Sequence, residues 1–333
     1  MRLSILDQAP ILSGGTPGEA LSESAKLAQI GEKLGYSRYW IAEHHDLKGL
    51  ACPSPEVMLG YIGALTNKIR LGSGAVLLPH YKPYKVAETF NLLATLFPGR
   101  IDLGIGRAPG GSAEAAEALS GNFLEKVWKM PEAVKELIHF LYNDFPLESI
   151  YSKITAAPLP VIPPKPWLLG TSEKSAVLAA ENGTAYVFGQ FMSDKNGAEI
   201  VKKYQSNFKK NTRTAHPEVI ITVSVFCAET EERAEDLALC HFVWRIQQES
   251  GQSEPGIPSA AEAKSYILSV EEKARFAGYK NKIVYGNPAQ VKTKLLKIAS
   301  EYNTDEIMIV TITPSYEERI ESYKLIANEM FAI

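Results

Sequence analysis

The sequence predicts an α/β protein folded as a (β/α)8 barrel, and three observations predict it. Strand-like apolar runs alternate with helix-like stretches almost throughout the chain, the pattern of parallel strands joined by right-handed helical crossovers. The strand candidates cover residues 3–7, 38–42, 69–75, 101–105, 166–169, 185–188, 220–226 and 306–310, and eight is the number that closes a barrel. Residues 71–107 moreover spell a strand, a Pro-opened helix and another strand in direct succession, a unit that buries its strands from both sides. With 333 residues and 45% hydrophobic content, the chain can bury an ample core. A single domain over 1–333 is expected.

The elements follow in order. Residues 1–7 form a short apolar strand that reaches an acid, Asp7. It is too short for a signal peptide, and no apolar run approaches membrane-spanning length. Thr16-Pro17-Gly18-Glu19 joins an N-cap threonine, a proline at the first helical position and a glutamate at the third, so the first barrel helix starts there. The second strand runs through Trp40-Ile41-Ala42 into Glu43-His44-His45, and the third ends at Gly74-Ala75 before Val76-Leu77-Leu78-Pro79. The fourth runs into Gly106-Arg107. A Pro-rich run over 158–166 reads as a linker that delivers the chain to the fifth strand, which leads into Gly170-Thr171-Ser172-Glu173-Lys174-Ser175. Asn287-Pro288-Ala289-Gln290 repeats the N-terminal scheme of the first helix, and Ser315 with Glu318 can form a capping box for the last.

One region breaks the alternation. Residues 247–279, between the seventh and eighth strands, are polar and turn-rich at first and then weakly helical. The segment reads as an insertion, either an active-site lid or a surface loop that tolerates change.

Composition narrows the function classes. A formal net charge of −3 with interspersed Lys and Glu gives no basic stripe, which argues against nucleic acid as a partner and favours small molecules. Cys52, Cys227 and Cys240 are odd in number and lack C-x-x-C or zinc-type spacing, so they read as packing residues in a reducing, cytoplasmic setting. No membrane association is expected.

Candidate chemistry gathers at the carboxyl ends of strands, where barrel enzymes keep their active sites. Alternate strand residues share a face, so Trp40, Ala42 and His44 point one way while Ile41, Glu43 and His45 point the other. One histidine of the pair therefore faces the barrel mouth, where its imidazole can act as a general base or bind a ligand. Glu43, His44, His45 and Asp46 do not read as a metal site, because adjacent strand residues diverge. Gly104-Ile105-Gly106-Arg107-Ala108-Pro109-Gly110 looks superficially like a dinucleotide fingerprint. Pro109 replaces the third glycine, however, and the motif is not at the first strand. Its glycines let backbone approach a flat ligand, and Arg107 offers a positive fork to phosphate or carboxylate; a solvent-facing arginine at a tight turn is the alternative. The turn from Gly170 to Ser175 is either a phosphate cradle at a helix N-terminus or a routine N-cap with Ser172 as the capping residue.

Taken together, these ordered motifs resemble the bacterial luciferase-like flavin-dependent monooxygenase family. The similarity also takes in Val86-Ala87-Glu88 with Leu92-Leu93, Gly99-Arg100-Ile101-Asp102-Leu103-Gly104, and Gly286-Asn287-Pro288, and so spans nearly the whole chain. The resemblance implies a TIM barrel that binds reduced FMN at its strand ends and uses O2 to oxygenate a small organic substrate. It places the catalytic histidine on His44, with His45 beside it, and a non-prolyl cis peptide against the flavin on Gly74-Ala75. Phosphate binding falls on Ser172 and Ser175 in the Gly170-Thr171 turn, with Arg107 near the cofactor. It further implies a separate flavin reductase and a homodimer formed through helices at about residues 55–65 and 83–96. Where light-emitting members carry a reactive thiol, this chain has Gly106, so light emission is not implied. Two alternatives stay open: hydride transfer with F420 on the same fold, and a non-catalytic flavin-binding protein. Substrate specificity is expected in the loops 46–53, 108–122 and 247–279.

Overall fold

A computed structural model describes residues 1–250 and 256–331. The chain opens with β1 (Arg2–Asp7), α1 (Pro17–Lys33), β2 (Arg38–Ile41), α2 (Pro55–Leu65) and β3 (Arg70–Ser73). β4 (Val76–Leu77) follows almost at once, then α3 (Pro83–Leu96) and β5 (Ile101–Gly106). Three helices, α4 (Ala113–Ser120), α5 (Phe123–Trp128) and α6 (Met130–Tyr142), precede β6 (Lys165–Gly170), α7 (Glu173–Glu181), β7 (Ala185–Gly189) and α8 (Gly197–Asn207). β8 (Val219–Cys227) leads into α9 (Glu231–Glu249), α10 (Ala260–Ser265) and α11 (Val270–Lys280). The chain then forms β9 (Val284–Gly286), α12 (Pro288–Glu301), β10 (Glu306–Val310) and α13 (Tyr316–Phe331).

The strands close on themselves. In the order β10, β1, β2, β3, β5, β6, β7, β8 each pairs with the next in parallel, and β8 returns to β10, so the sheet is a (β/α)8 TIM barrel without a free edge. All eight expected strands are present. The third is split: β3 ends at Ser73, the Gly74-Ala75 peptide is cis, and β4 resumes pairing with β5 at Val76↔Ile105. β9 was not expected. It is three residues long and pairs with the carboxyl half of β8 (Val225↔Val284) rather than joining the barrel.

The caps do what their residues require. Thr16 and Glu19 form a reciprocal capping box at α1, Asn287 and Gln290 do so at α12, and the Ser315 hydroxyl accepts the Glu318 amide at α13. Each satisfies an amide that the helix itself leaves unpaired.

Two apolar layers result. One lies between barrel and helices and includes Ile5, Ile41, Leu71 and Leu103; the other fills the barrel and includes Leu6, Trp40, Trp167, Val187 and Met308. Alternation along β2 accounts for the split, since Ile41 faces out while Trp40 faces in. Trp40 and Trp167 meet edge to face at 5.6 Å, and a side chain on Gly72 would come within 2.4 Å of the Trp40 Nε1. Beneath them the amino-terminal end is plugged by ions. Asp102 accepts from Arg38 at 2.7 Å and Arg70 at 2.6 Å, and Arg38 also donates to Glu306 at 2.8 Å.

The later part of the 247–279 segment is helical, as its sequence reads. Residues 247–249 complete α9, 251–255 lie outside the described residues, and most of the remainder is α10 and α11 packed on α9. Phe242 of α9 stacks near Phe276 and Tyr279, and Cys240 and Val243 pack with Ala263. Two Ser-x-x-Glu capping boxes, Ser259 with Glu262 and Ser269 with Glu272, start these helices. Those boxes are visible in the sequence and mark where each helix of the weakly helical part begins. Cys52, Cys227 and Cys240 are all buried and unpaired by disulfides. No described helix is long and apolar enough to cross a membrane.

Candidate active site

At the carboxyl ends of the strands lies a cavity of about 320 Å³. β2 brings His44 to it, the β3–β4 junction brings Gly74 and Ala75, β5 brings Gly106 and Arg107, and β6 brings Gly170 and Thr171. Six of the nine residues singled out in the sequence therefore share one wall.

The histidine pair is resolved by strand alternation. The His44 ring is buried in the cavity wall, and its Nδ1 has no hydrogen-bond partner. Burial, with a smaller contribution from the neighbouring His45, pushes its pKa down to about 4, so at neutral pH the imidazole is uncharged. A buried polar nitrogen without a partner is uncommon in a folded protein and marks a place for a ligand.

His45 turns to the other side. Its Nε2 lies 2.8 Å from Glu43 Oε1, which also accepts from the Tyr81 hydroxyl at 2.8 Å, while Glu43 Oε2 accepts from the Leu77 amide at 3.1 Å. Burial raises the Glu43 pKa, and these donors oppose the rise. The His45 amide donates to the Gly110 carbonyl at 2.8 Å, so the chain after β2 is laced to the loop after β5. That loop needs its glycines. Gly110 has φ of +73°, and a side chain on Gly111 would lie 1.7 Å from the His45 carbonyl oxygen.

A corner rich in hydrogen-bond donors lies beside Arg107. Ser172 caps α7, its hydroxyl accepting from the Ser175 amide, and the Arg107 Nη2 donates to the Ser172 Oγ at 3.3 Å. Ser175 donates to the Ser172 carbonyl at 2.7 Å and lies 3.1 Å from the Tyr186 hydroxyl. A side chain on Gly170 would strike Ser175 Oγ at 2.2 Å. A helix N-terminus, two hydroxyls and an arginine fork thus converge, a donor set suited to phosphate. Ser172 and Ser175 form the floor of this corner rather than the cavity wall, and Ser175 also lines a neighbouring groove with Arg107 and Lys174.

Sequence reasoning missed other wall residues, among them Gln8, Leu169, Val187, Phe191, Met192 and Thr222. Phe191 and Met192 follow directly after β7, and position just past a strand's carboxyl end was the available signal.

The luciferase-like monooxygenase profile matches residues 1–302. The chain belongs to the luciferase-like monooxygenase family. Within it, the chain is similar to the N-acetyl-S-alkylcysteine monooxygenase of Bacillus subtilis, at 36% identity over 100% of this chain and 99% of that protein. The crystal structure of apo-MsnO8 matches with a TM-score of 0.87 and 31% identity, covering 100% of this chain and 99% of the other. The oxygenating constituent of 3,6-diketocamphane monooxygenase from Pseudomonas putida, solved in complex with FMN, matches with a TM-score of 0.72 and 20% identity, covering 99% and 97%. At that identity it shows the fold alone.

Proposed function

We propose that this family member is an FMN-dependent monooxygenase that uses reduced FMN and O2 to oxygenate a small organic substrate. The observation that carries the reading is a cavity wall that holds both a neutral imidazole with an unpartnered Nδ1 and Arg107, whose guanidinium reaches the donor-rich corner at Ser172. A flat, phosphorylated cofactor fits such a space: Gly74, Ala75, Gly106 and Gly170 bring bare or nearly bare backbone to the wall. Reduced FMN, when bound, supplies the electrons that activate O2.

The protein's own residues do the rest. Arg107, Thr171, Ser172 and Ser175 hold the phosphate, and Gly74, Ala75 and Gly106 admit the ring system. His44 accepts or returns a proton at its imidazole, which its lowered pKa keeps uncharged at neutral pH. His45 acts as a positioning residue, tying Glu43 and the 107–111 loop to β2. Leu6, Leu169 and Val187 line the cavity with hydrocarbon and exclude water. A separate flavin reductase supplies the reduced cofactor, and the N-acetyl-S-alkylcysteines named for the Bacillus relative head the substrate panel.

The test is to titrate the purified protein with FMN and then, with a generic flavin reductase and NADH, to follow O2 uptake across that panel. Substrate-dependent uptake with an oxygenated product supports the proposal. Efficient turnover with F420 in the absence of O2 would replace it with hydride transfer, and flavin binding without substrate-dependent uptake would replace it with a storage role.

A further inference from the structure

A second cavity, of about 370 Å³, opens beside the first at the carboxyl ends of β1, β7, β8 and β10. Gln8, Phe191 and Met192 line both, so the two spaces are neighbours separated by side chains. Its walls are mixed: Trp244, Tyr279, Val310 and Ile312 lie beside Gln8, Ser193 and Ser224, and α9 brings the solvent-exposed cation Arg245 to the rim.

Arg245 is weakly neutralised among the described residues. Its ion pair with Glu249 is long, at 3.9 Å, and Glu249 is engaged more closely by Arg275. The other charges on the wall, Lys282 and Asp194, pair with each other. Lys282 and Asp194 cancel, and the wall keeps one net positive charge in a chain whose total is −3.

A neutral donor stands beside that charge. The His241 Nδ1 lies 2.5 Å from the Tyr279 hydroxyl. Burial raises the Tyr279 pKa, so the phenol stays protonated, and where it donates to Nδ1 the single His241 proton sits on Nε2. His241 lines the cavity, and on the same wall the Trp244 indole Nε1 is buried without a partner. Burial, with the nearby Arg245 cation, holds the His241 pKa near 3, which keeps this imidazole a neutral donor.

We propose that this cavity binds the carboxylate end of the substrate, with Arg245 as its counter-ion and His241 Nε2 as a hydrogen-bond donor, so that the enzyme selects amphipathic monocarboxylates. The inference rests on the oxygenase reading of the adjoining cavity and adds to it the class of substrate. One net positive charge matches a monoanion; a phosphate monoester carries about −1.5 to −2 at neutral pH and would leave charge without a counter-ion on this wall. The aromatic and aliphatic surface of Trp244, Tyr279, Val310 and Ile312 takes the hydrocarbon stem, directing its far end past Phe191 and Met192 toward His44.

The test uses matched probes on the FMN-loaded protein: N-acetyl-S-benzylcysteine and its carboxamide, followed by calorimetry at pH 7.5. The acid is expected to bind about tenfold or more tightly than the amide, with Arg245→Gln abolishing the difference and Arg245→Lys restoring part of it. FMN affinity should stay within about twofold in both variants, because Arg245 does not line the first cavity. Equal binding of acid and amide, no binding of either, or an acid preference that survives Arg245→Gln overturns the proposal. A protein that takes up no FMN instead overturns the oxygenase reading, and the acid and amide titrations on the apo-protein then still decide what this cavity prefers.

Discussion

In the proposed reaction the proton chemistry of the first cavity rests on His44. If its Nδ1 handles a proton of the reaction, His44→Ala should lower turnover by about 10²-fold or more while FMN affinity, held elsewhere, changes little; unchanged turnover would remove the residue from the mechanism. Its titration has a direction that can be checked. His44 and His241 have folded pKa values of about 4 and about 3, below the ordinary 6.5. Between those limits the unfolded chain binds more protons than the folded one, so their contribution is complete above about pH 6.5 and falls as pH drops toward 3. Urea midpoints measured at pH 7, 6 and 5 should therefore decline, and the decline should be shallower in His44→Gln. An identical slope in that variant would contradict the neutral, buried imidazole.

Helix α7 shows how an element can serve structure and ligand together. Ser172 caps it and also receives Arg107, so Ser172→Ala should cost about 1 kcal/mol of stability through the lost cap and weaken FMN binding more than riboflavin binding. Equal weakening of both flavins would place the phosphate elsewhere. Helices α2 and α3 carry a different message. Val57, Tyr61 and Leu65 on one and Leu92 and Leu96 on the other are exposed, Val57 at 67% and Leu96 at 59%, an unusual apolar density for two adjacent helices in solvent. These are the helices through which the homodimer is proposed to form. The double variant Tyr61→Glu, Leu96→Glu should halve the mass seen by light scattering, whereas a monomeric parent protein would end the dimer proposal.

Across the whole molecule, the barrel separates stability from function by end. The amino-terminal plug of Arg38, Arg70, Asp102 and Glu306 is buried beneath Trp40 and Trp167, both of whose indole nitrogens donate to Asp102. Its arginines outweigh burial and hold the Asp102 pKa below the carboxylate range. Asp102→Ala leaves Arg38 with Glu306 and takes away the partner of Arg70, so chemical denaturation should report a loss of about 3 kcal/mol, the low end for a broken buried pair, without altering the proposed flavin site at the opposite end; a loss under about 1 kcal/mol would show that the plug relaxes. The carboxyl-terminal end trades such packing for open wall, leaving His44 Nδ1 unpaired. Whether the helices of 256–279 move as a lid is answerable by hydrogen exchange, with faster exchange in α10 and α11 than in α9 expected if they do.

Much of this was legible in the residues. Apolar runs of four to nine residues set eight strands, and Thr16-Pro17-x-Glu19 and Asn287-Pro288-x-Gln290 marked helix starts, because period and capping chemistry are local. Period 2 along β2 also divided Trp40, Ala42 and His44 from Ile41, Glu43 and His45. Which of those faces was the inside of a barrel depended on closure by β8 and β10, a contact between residues far apart in sequence. The same closure brought Arg107 to Ser172, set His45 against Gly110, and laid α9 over the barrel mouth so that Arg245 and His241 met Val310. Contacts between distant segments leave no periodic trace along the chain, and for that reason the strands and caps could be read from local residues while the shape and charge of the two cavities came from folding.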